Sequence, residues 1–97
     1  MNKEAVLIQL GDRAEEIRKR FSVKALWLFG SITREEATDD SDVDVLVEFD
    51  RKASFDLFMD LKFYLEELLG IGVDLVTEKA LRPQVRRAIE QEMINVA

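Results

Sequence analysis

The chain predicts an α/β fold in which a small mixed sheet of about three strands is flanked by helices. Three observations predict it. An apolar run, Ala25-Leu26-Trp27-Leu28-Phe29, stops at Gly30-Ser31. After ten residues a second apolar run opens with two carboxylates, Asp42-Val43-Asp44, and continues to Phe49. A helical stretch then leads to a third run, Val73 to Thr77, that carries Asp74 near its start. Strand, helix and strand in that order form a crossover unit, so the second and third strands run parallel with a right-handed connection. The first strand closes simply onto the second if it runs antiparallel to it.

The elements follow in order. Residues 3 to 21 read as one helix, because Leu7, Leu10, Ala14, Ile17 and Phe21 recur at three- and four-residue spacing. Gly11 inside it weakens helix preference by roughly 1 kcal/mol. Lys24 to Phe29 is a buried strand. Thr33 and Glu36 have capping-box spacing, which predicts a short helix starting near Thr33. Thr38 to Ser41 are turn formers, and Asp42 to Phe49 is a strand with Val43, Val45, Val47 and Phe49 on one face. Ser54 is placed to cap a helix in which Phe58, Leu61, Leu65 and Leu68 mark the apolar side. Gly70 and Gly72 stop it. Pro83 suits the first turn of a last helix, with Leu81, Val85, Ala88 or Ile89, and Met93 on its apolar side. Trp27, Phe29, Phe58 and Phe63 are expected in the core, and Phe55 and Tyr64 outside it.

Composition narrows the chemistry. The 97 residues, 47% hydrophobic and 35% charged, suit one globular domain over residues 1–97. The absence of cysteine and histidine removes thiolate and imidazole chemistry, including histidine-bound zinc and a Ser-His-Asp site. Acid-base work falls to carboxylates, Lys or Tyr64. A net charge of −6 disfavours tight nucleic-acid binding. The short apolar run Ala5 to Leu10 does not read as a signal peptide, and no stretch reaches membrane-span length, so a cytoplasmic protein is expected. Arg82, Arg86 and Arg87 form a basic cluster, expected to be a solvated face.

The topology gathers the functional candidates at one end of the sheet. Asp42 and Asp44 share a strand face, with Cα atoms about 7 Å apart. Carboxylates that close repel unless a cation or proton lies between them. Mg²⁺ takes oxygen ligands and typically accepts one or two carboxylates plus substrate phosphates. Asp74 starts the neighbouring strand at the same end, and Gly30-Ser31 is delivered there as an anion-binding turn. A side chain at Gly30 is expected to crowd a phosphate or strain the turn. Metal-linked aspartates beside such a turn are what phosphoryl or nucleotidyl transfer requires.

On Gly30-Ser31, Asp42-Val43-Asp44 and Asp74, the sequence resembles the polymerase beta-like nucleotidyltransferase superfamily. Within it, the run from Gly30 to Val47 is similar to the minimal nucleotidyltransferases, the MNT antitoxins of the HEPN–MNT toxin–antitoxin pairs. The resemblance covers about Leu26 to Thr77. It implies a nucleotidyltransferase fold and AMP transfer from ATP to a tyrosine of a partner HEPN toxin. It also implies that Gly30 and Ser31 hold the triphosphate, that Asp42, Asp44 and Asp74 hold Mg²⁺ (two ions), and that Arg34 binds nucleotide. The family pattern Gly-Ser-x-x-Arg-Gly is broken here, where Glu35 replaces the last glycine. Without a phosphate role, Arg34 would pair with Glu35 or Asp39. Two other functions stay open: an antitoxin that inhibits by binding alone, and a small-molecule nucleotidyltransferase of the aminoglycoside type.

Overall fold

A computed structural model describes residues 2–38 and 40–97. The described residues form helices α1 (Lys3–Asp12), α2 (Ala14–Phe21), α3 (Phe55–Leu69) and α4 (Pro83–Glu90) and strands β1 (Val23–Phe29), β2 (Val43–Phe49), β3 (Val73–Thr77) and β4 (Ile94–Asn95). The sheet order is β3-β2-β1-β4. As expected, β2 and β3 are parallel and β1 is antiparallel to β2.

Strand alternation divides the sheet into two faces. On one face Leu26, Leu28, Val45 and Val47 are wholly shielded and pack with Val6 and Leu10 of α1, Ile17 and Phe21 of α2, and Leu61 and Leu65 of α3. A register shift between Val23 and Ala25 inserts an extra residue into β1. That bulge turns Val23 inward together with Leu26, which plain alternation would place on opposite faces. The other face carries Asp44, Leu46 and Glu48 from β2 opposite Phe29, Trp27 and Ala25 from β1. The Arg86 guanidinium of α4 lies 5.8 Å from the centre of the Trp27 ring, so α4 reaches over this second face. Leu46 there is fully buried although it stands outside the main core cluster.

The helix boundaries have local causes. The Ser54 hydroxyl accepts the Leu57 N–H at 3.1 Å and starts α3, and Gly70, at φ +72°, ends it. Pro83 opens α4 as expected.

Several expectations need correction. The single helix over 3–21 is two, broken at Arg13, whose φ of −109° and ψ of 7° leave the helical region. The break lets each half bury its own pair at a spacing of four, Val6 with Leu10 and Ile17 with Phe21. No α-helix starts at Thr33. Its hydroxyl donates to the Gly30 carbonyl at 2.7 Å, which closes a 3₁₀ turn over Gly30–Ile32 instead of capping a new helix. The sheet has a fourth strand, β4, whose two residues are too few for a periodic signal. Main-chain bonds from Val96 N–H to the Leu26 carbonyl (2.8 Å) and from Leu26 N–H to the Ala97 carbonyl (3.3 Å) extend its pairing. On α4, Val85 and Ala88 are exposed and Ile89 is only half-buried, as are Leu81 and Met93 on either side of the helix. The aromatic assignments shift as well. Phe63 is 55% exposed, whereas Tyr64 is half-buried and donates to Glu16 at 2.6 Å. Phe55 is exposed as expected, and Trp27 and Phe29 are half-buried on the second face. Of the basic cluster, Arg82 and Arg87 are solvated, while Arg86 pairs with Glu78 (3.3 Å) and Glu90 (3.5 Å).

Candidate active site

Parallel pairing sets Asp44 directly beside Asp74, and antiparallel pairing sets Phe29 on the other side of Asp44. The two aspartates therefore stand on the same face, one inter-strand spacing apart, about 4.8 Å. Gly30 follows Phe29 at the end of β1, so the turn and the carboxylates meet at one end of the sheet. Asp42 lies just ahead of β2, next to the start of β3, where the Val43 N–H donates to the Gly72 carbonyl at 2.9 Å.

Both glycines near this cluster are there for space. A Cβ on Gly30 would overlap the Asp44 Oδ2, and a Cβ on Gly72 would overlap the Asp42 Oδ1. Gly30 also has φ +78°, a conformation that side chains disfavour. The sequence pointed to Gly30 through its phosphate role; the first atom a side chain there would meet is the Asp44 carboxylate. Gly72 reads from sequence only as a helix stop, and its role in seating Asp42 emerges from the fold.

The electrostatics of Asp44 are distinctive. Its carboxyl is pushed up to about 6, first by burial, then by the charge and hydrogen bond of Asp74, and less by Asp42. Arg34 acts in the opposite direction. The strongest carboxylate coupling of Asp44 is thus across strands to Asp74, where sequence spacing alone suggested Asp42. Among the described residues no three carboxylates are already gathered tightly enough to hold an ion. The donor chemistry nonetheless fits a hard dication: all the groups are oxygen donors, and a cation would relieve the repulsion that raises Asp44.

Arg34 is exposed and does not pair with Glu35, which meets Lys3 instead; the other expected partner, Asp39, lies outside the described residues. Its Nε donates to Glu36 at 2.9 Å and its Nη1 to Glu92 at 2.7 Å. These partners, Glu92 first, raise Arg34 above the ordinary arginine range. Glu92 also accepts the Gly30 N–H at 3.2 Å. Sequence reasoning missed Glu92 because it lies 62 residues from Gly30. Glu35 takes φ +60°, which explains why a glycine suits that position in the family pattern.

A sheet with paired carboxylates and a glycine turn at one end defines a candidate phosphate-handling enzyme. Residues 12–96 match the family described as "Nucleotidyltransferase domain". Protein adenylyltransferase MntA of Thermococcus cleftensis is 43% identical over 82 residues, covering 84% of this chain and 83% of that protein. A solved structure provisionally named a minimal nucleotidyltransferase superposes with a TM-score of 0.82 at 35% identity, covering 97% of this chain and 95% of its own. More distant in sequence, at 15% identity, is the Shewanella oneidensis complex of a tri-AMPylated HEPN toxin with an MNT antitoxin. It shares the fold with a TM-score of 0.67, covering 94% of this chain and 71% of the matched one. The chain belongs to the nucleotidyltransferase domain family, among the minimal nucleotidyltransferases whose curated relatives are named protein adenylyltransferases.

Proposed function

We propose that this nucleotidyltransferase is an antitoxin that transfers AMP from ATP to a tyrosine hydroxyl of a partner HEPN toxin. The observation that carries the reading is the register that sets Asp44 beside Asp74 at the end of the sheet where Gly30 turns. The relatives' name and the toxin–antitoxin complexes that share the fold support the choice of a protein acceptor. No helix among the described residues is long and apolar enough to cross a membrane, which is compatible with a partner met in solution.

Asp42, Asp44 and Asp74 would hold Mg²⁺. When bound, the ion neutralises charge on the triphosphate and lowers the pKa of an acceptor hydroxyl. Gly30 lets the backbone approach a phosphate without a side chain intervening, and its N–H, the Ser31 group and the Arg34 guanidinium supply the donors. The acceptor oxygen bonds to the α-phosphorus, the bond to pyrophosphate breaks, and the hydroxyl proton passes to a carboxylate of the set. Asp74, exposed at the sheet edge, is the member most open to an incoming partner.

The test is to incubate the chain with its purified partner, ATP and Mg²⁺ and to weigh the partner intact. One or more adenylates should be added, and none with Asp44→Asn. A partner that stays unmodified yet is inhibited by both proteins would replace transfer with inhibition by binding.

A further inference from the structure

Glu92 lies far from the turn in sequence yet meets it with both carboxylate oxygens. Oε1 accepts the Gly30 N–H at 3.2 Å and Oε2 accepts Arg34 Nη1 at 2.7 Å. One backbone N–H and one guanidinium held by two oxygens of a single anion is the pattern in which a phosphate group is bound. The geometry points to Glu92 as an internal occupant of the triphosphate seat, released when a polyphosphate displaces it. The idea builds on the proposed phosphate role of Gly30 and Arg34.

The location of Glu92 suits such a role. It sits in the turn that closes α4, where the Glu92 and Met93 N–H groups both donate to the Ile89 carbonyl at 3.0 Å. The following segment is anchored separately to β1 through pairing of Leu28 with Ile94 and through the Val96 and Ala97 main-chain bonds. The carboxylate is therefore not needed to hold β4. With Arg34 48% exposed, the ion pair is solvent-screened and weak enough to be exchanged. A polyphosphate carries more charge and more acceptor oxygens than one carboxylate, so it can win the same two donors. In the nucleotide-free protein Glu92 keeps the Gly30 N–H satisfied and Arg34 aimed at the seat. It also taxes binding, because only the fraction of molecules with the seat open can accept phosphate.

Pyrophosphate and ATP, each with Mg²⁺, are the probes. Titration calorimetry on the wild type, Glu92→Gln and Glu92→Ala should show both ligands binding about fivefold to tenfold tighter to the variants. Glu92→Gln keeps the side-chain shape and an acceptor for Gly30, so it supplies the reading if Glu92→Ala melts early. In parallel, the Gly30 amide resonance should differ between free wild type and free Glu92→Ala, then coincide at saturating pyrophosphate. If the wild type binds pyrophosphate and both variants bind it equally or more weakly, Glu92 is not an occupant of the seat. If none of the three binds either ligand, the phosphate role of Gly30 and Arg34 fails, and the occupancy of the seat by Glu92 fails with it.

Discussion

On the helix-covered face of the sheet, Val43, Val45 and Val47 of β2 are sealed from solvent; on the opposite face the intervening Asp44 and Glu48 stay partly open to water. The same seven-residue strand thus serves both a core and a candidate site. The covered face is fixed by volume: apolar side chains from three helices fill it, and each buried aliphatic side chain contributes about 1.5–3 kcal/mol. The open face is fixed by charge: Asp44 is held beside Asp74 with its carboxyl raised to about 6, a cost to the folded state that the covered face must offset. The contrast teaches that damage should separate cleanly. Substitutions at the buried aliphatic positions of the covered face should reach stability, and those at the carboxylates of the other face should reach chemistry.

The largest expected effect lies on the open face. Asp44→Asn keeps the size of the side chain and removes a charge from a repelling pair, so the fold should persist. AMP transfer should fall by more than about a hundredfold, the scale of losing one transition-state electrostatic partner. Circular dichroism alongside the mass assay checks both halves, and an active Asp44→Asn protein would break the division between the faces. Next comes the covered face. Leu28→Ala should lower unfolding free energy by about 3 kcal/mol, since Leu28 is wholly shielded and the cavity cannot fully collapse. Urea denaturation measures this, and per-molecule transfer by the folded fraction should be little changed.

Gly30→Ala sharpens the comparison because Gly30 stands at the boundary. The left-handed backbone and the overlap with Asp44 together should cost about 2 kcal/mol. The same shift should also displace Asp44, so melting temperature and transfer should fall together, unlike in either variant above. The smallest effect is one of pH. Asp44 has a folded value near 6 against an ordinary value of 3.8, so the folded state binds the extra proton between them. The stability present below pH 3.8 is then lost as pH rises through about 6. Relative to wild type, Asp44→Asn should gain nothing at pH 4 and about 1 kcal/mol at pH 8, a figure reduced for the group's partial exposure. Thermal melts at both pH values in metal-free buffer read the difference.

Much of this division was legible in the sequence. The alternation from Val43 to Phe49, the capping Ser54 and the closing Gly70 carry local signals strong enough to define their elements alone. Parallel pairing of β2 with β3 followed from the intervening helix, and with it the gathering of Asp42, Asp44 and Asp74 at one end of the sheet; that Asp44 stands directly beside Asp74 is set by the register. What escaped was decided by contacts between distant segments. Arg13 leaves the helical region, and the two short helices on either side each bury their own pair of residues. Thr33 spends its hydroxyl on the Gly30 carbonyl, so a capping-box pattern yields a 3₁₀ turn. β4 exists only because β1 offers it an edge, and Glu92 reaches Gly30 only because β4 docks there. Gly72 carried no local hint that its missing side chain makes room for Asp42.

That last arrangement has an evolutionary consequence. Gly30 and Asp44 share one volume, and Gly72 and Asp42 share another, so each glycine is tied to its aspartate by space. A lineage that lost Asp42 to a smaller residue would free Gly72 to drift towards alanine, whereas the left-handed backbone at Gly30 would hold that glycine even without Asp44. The return path would then be closed, because restoring the aspartate first would meet an occupied position. Loss of Asp42 in a descendant should therefore act as a ratchet, with a vanished Gly72 as the mark that it has turned.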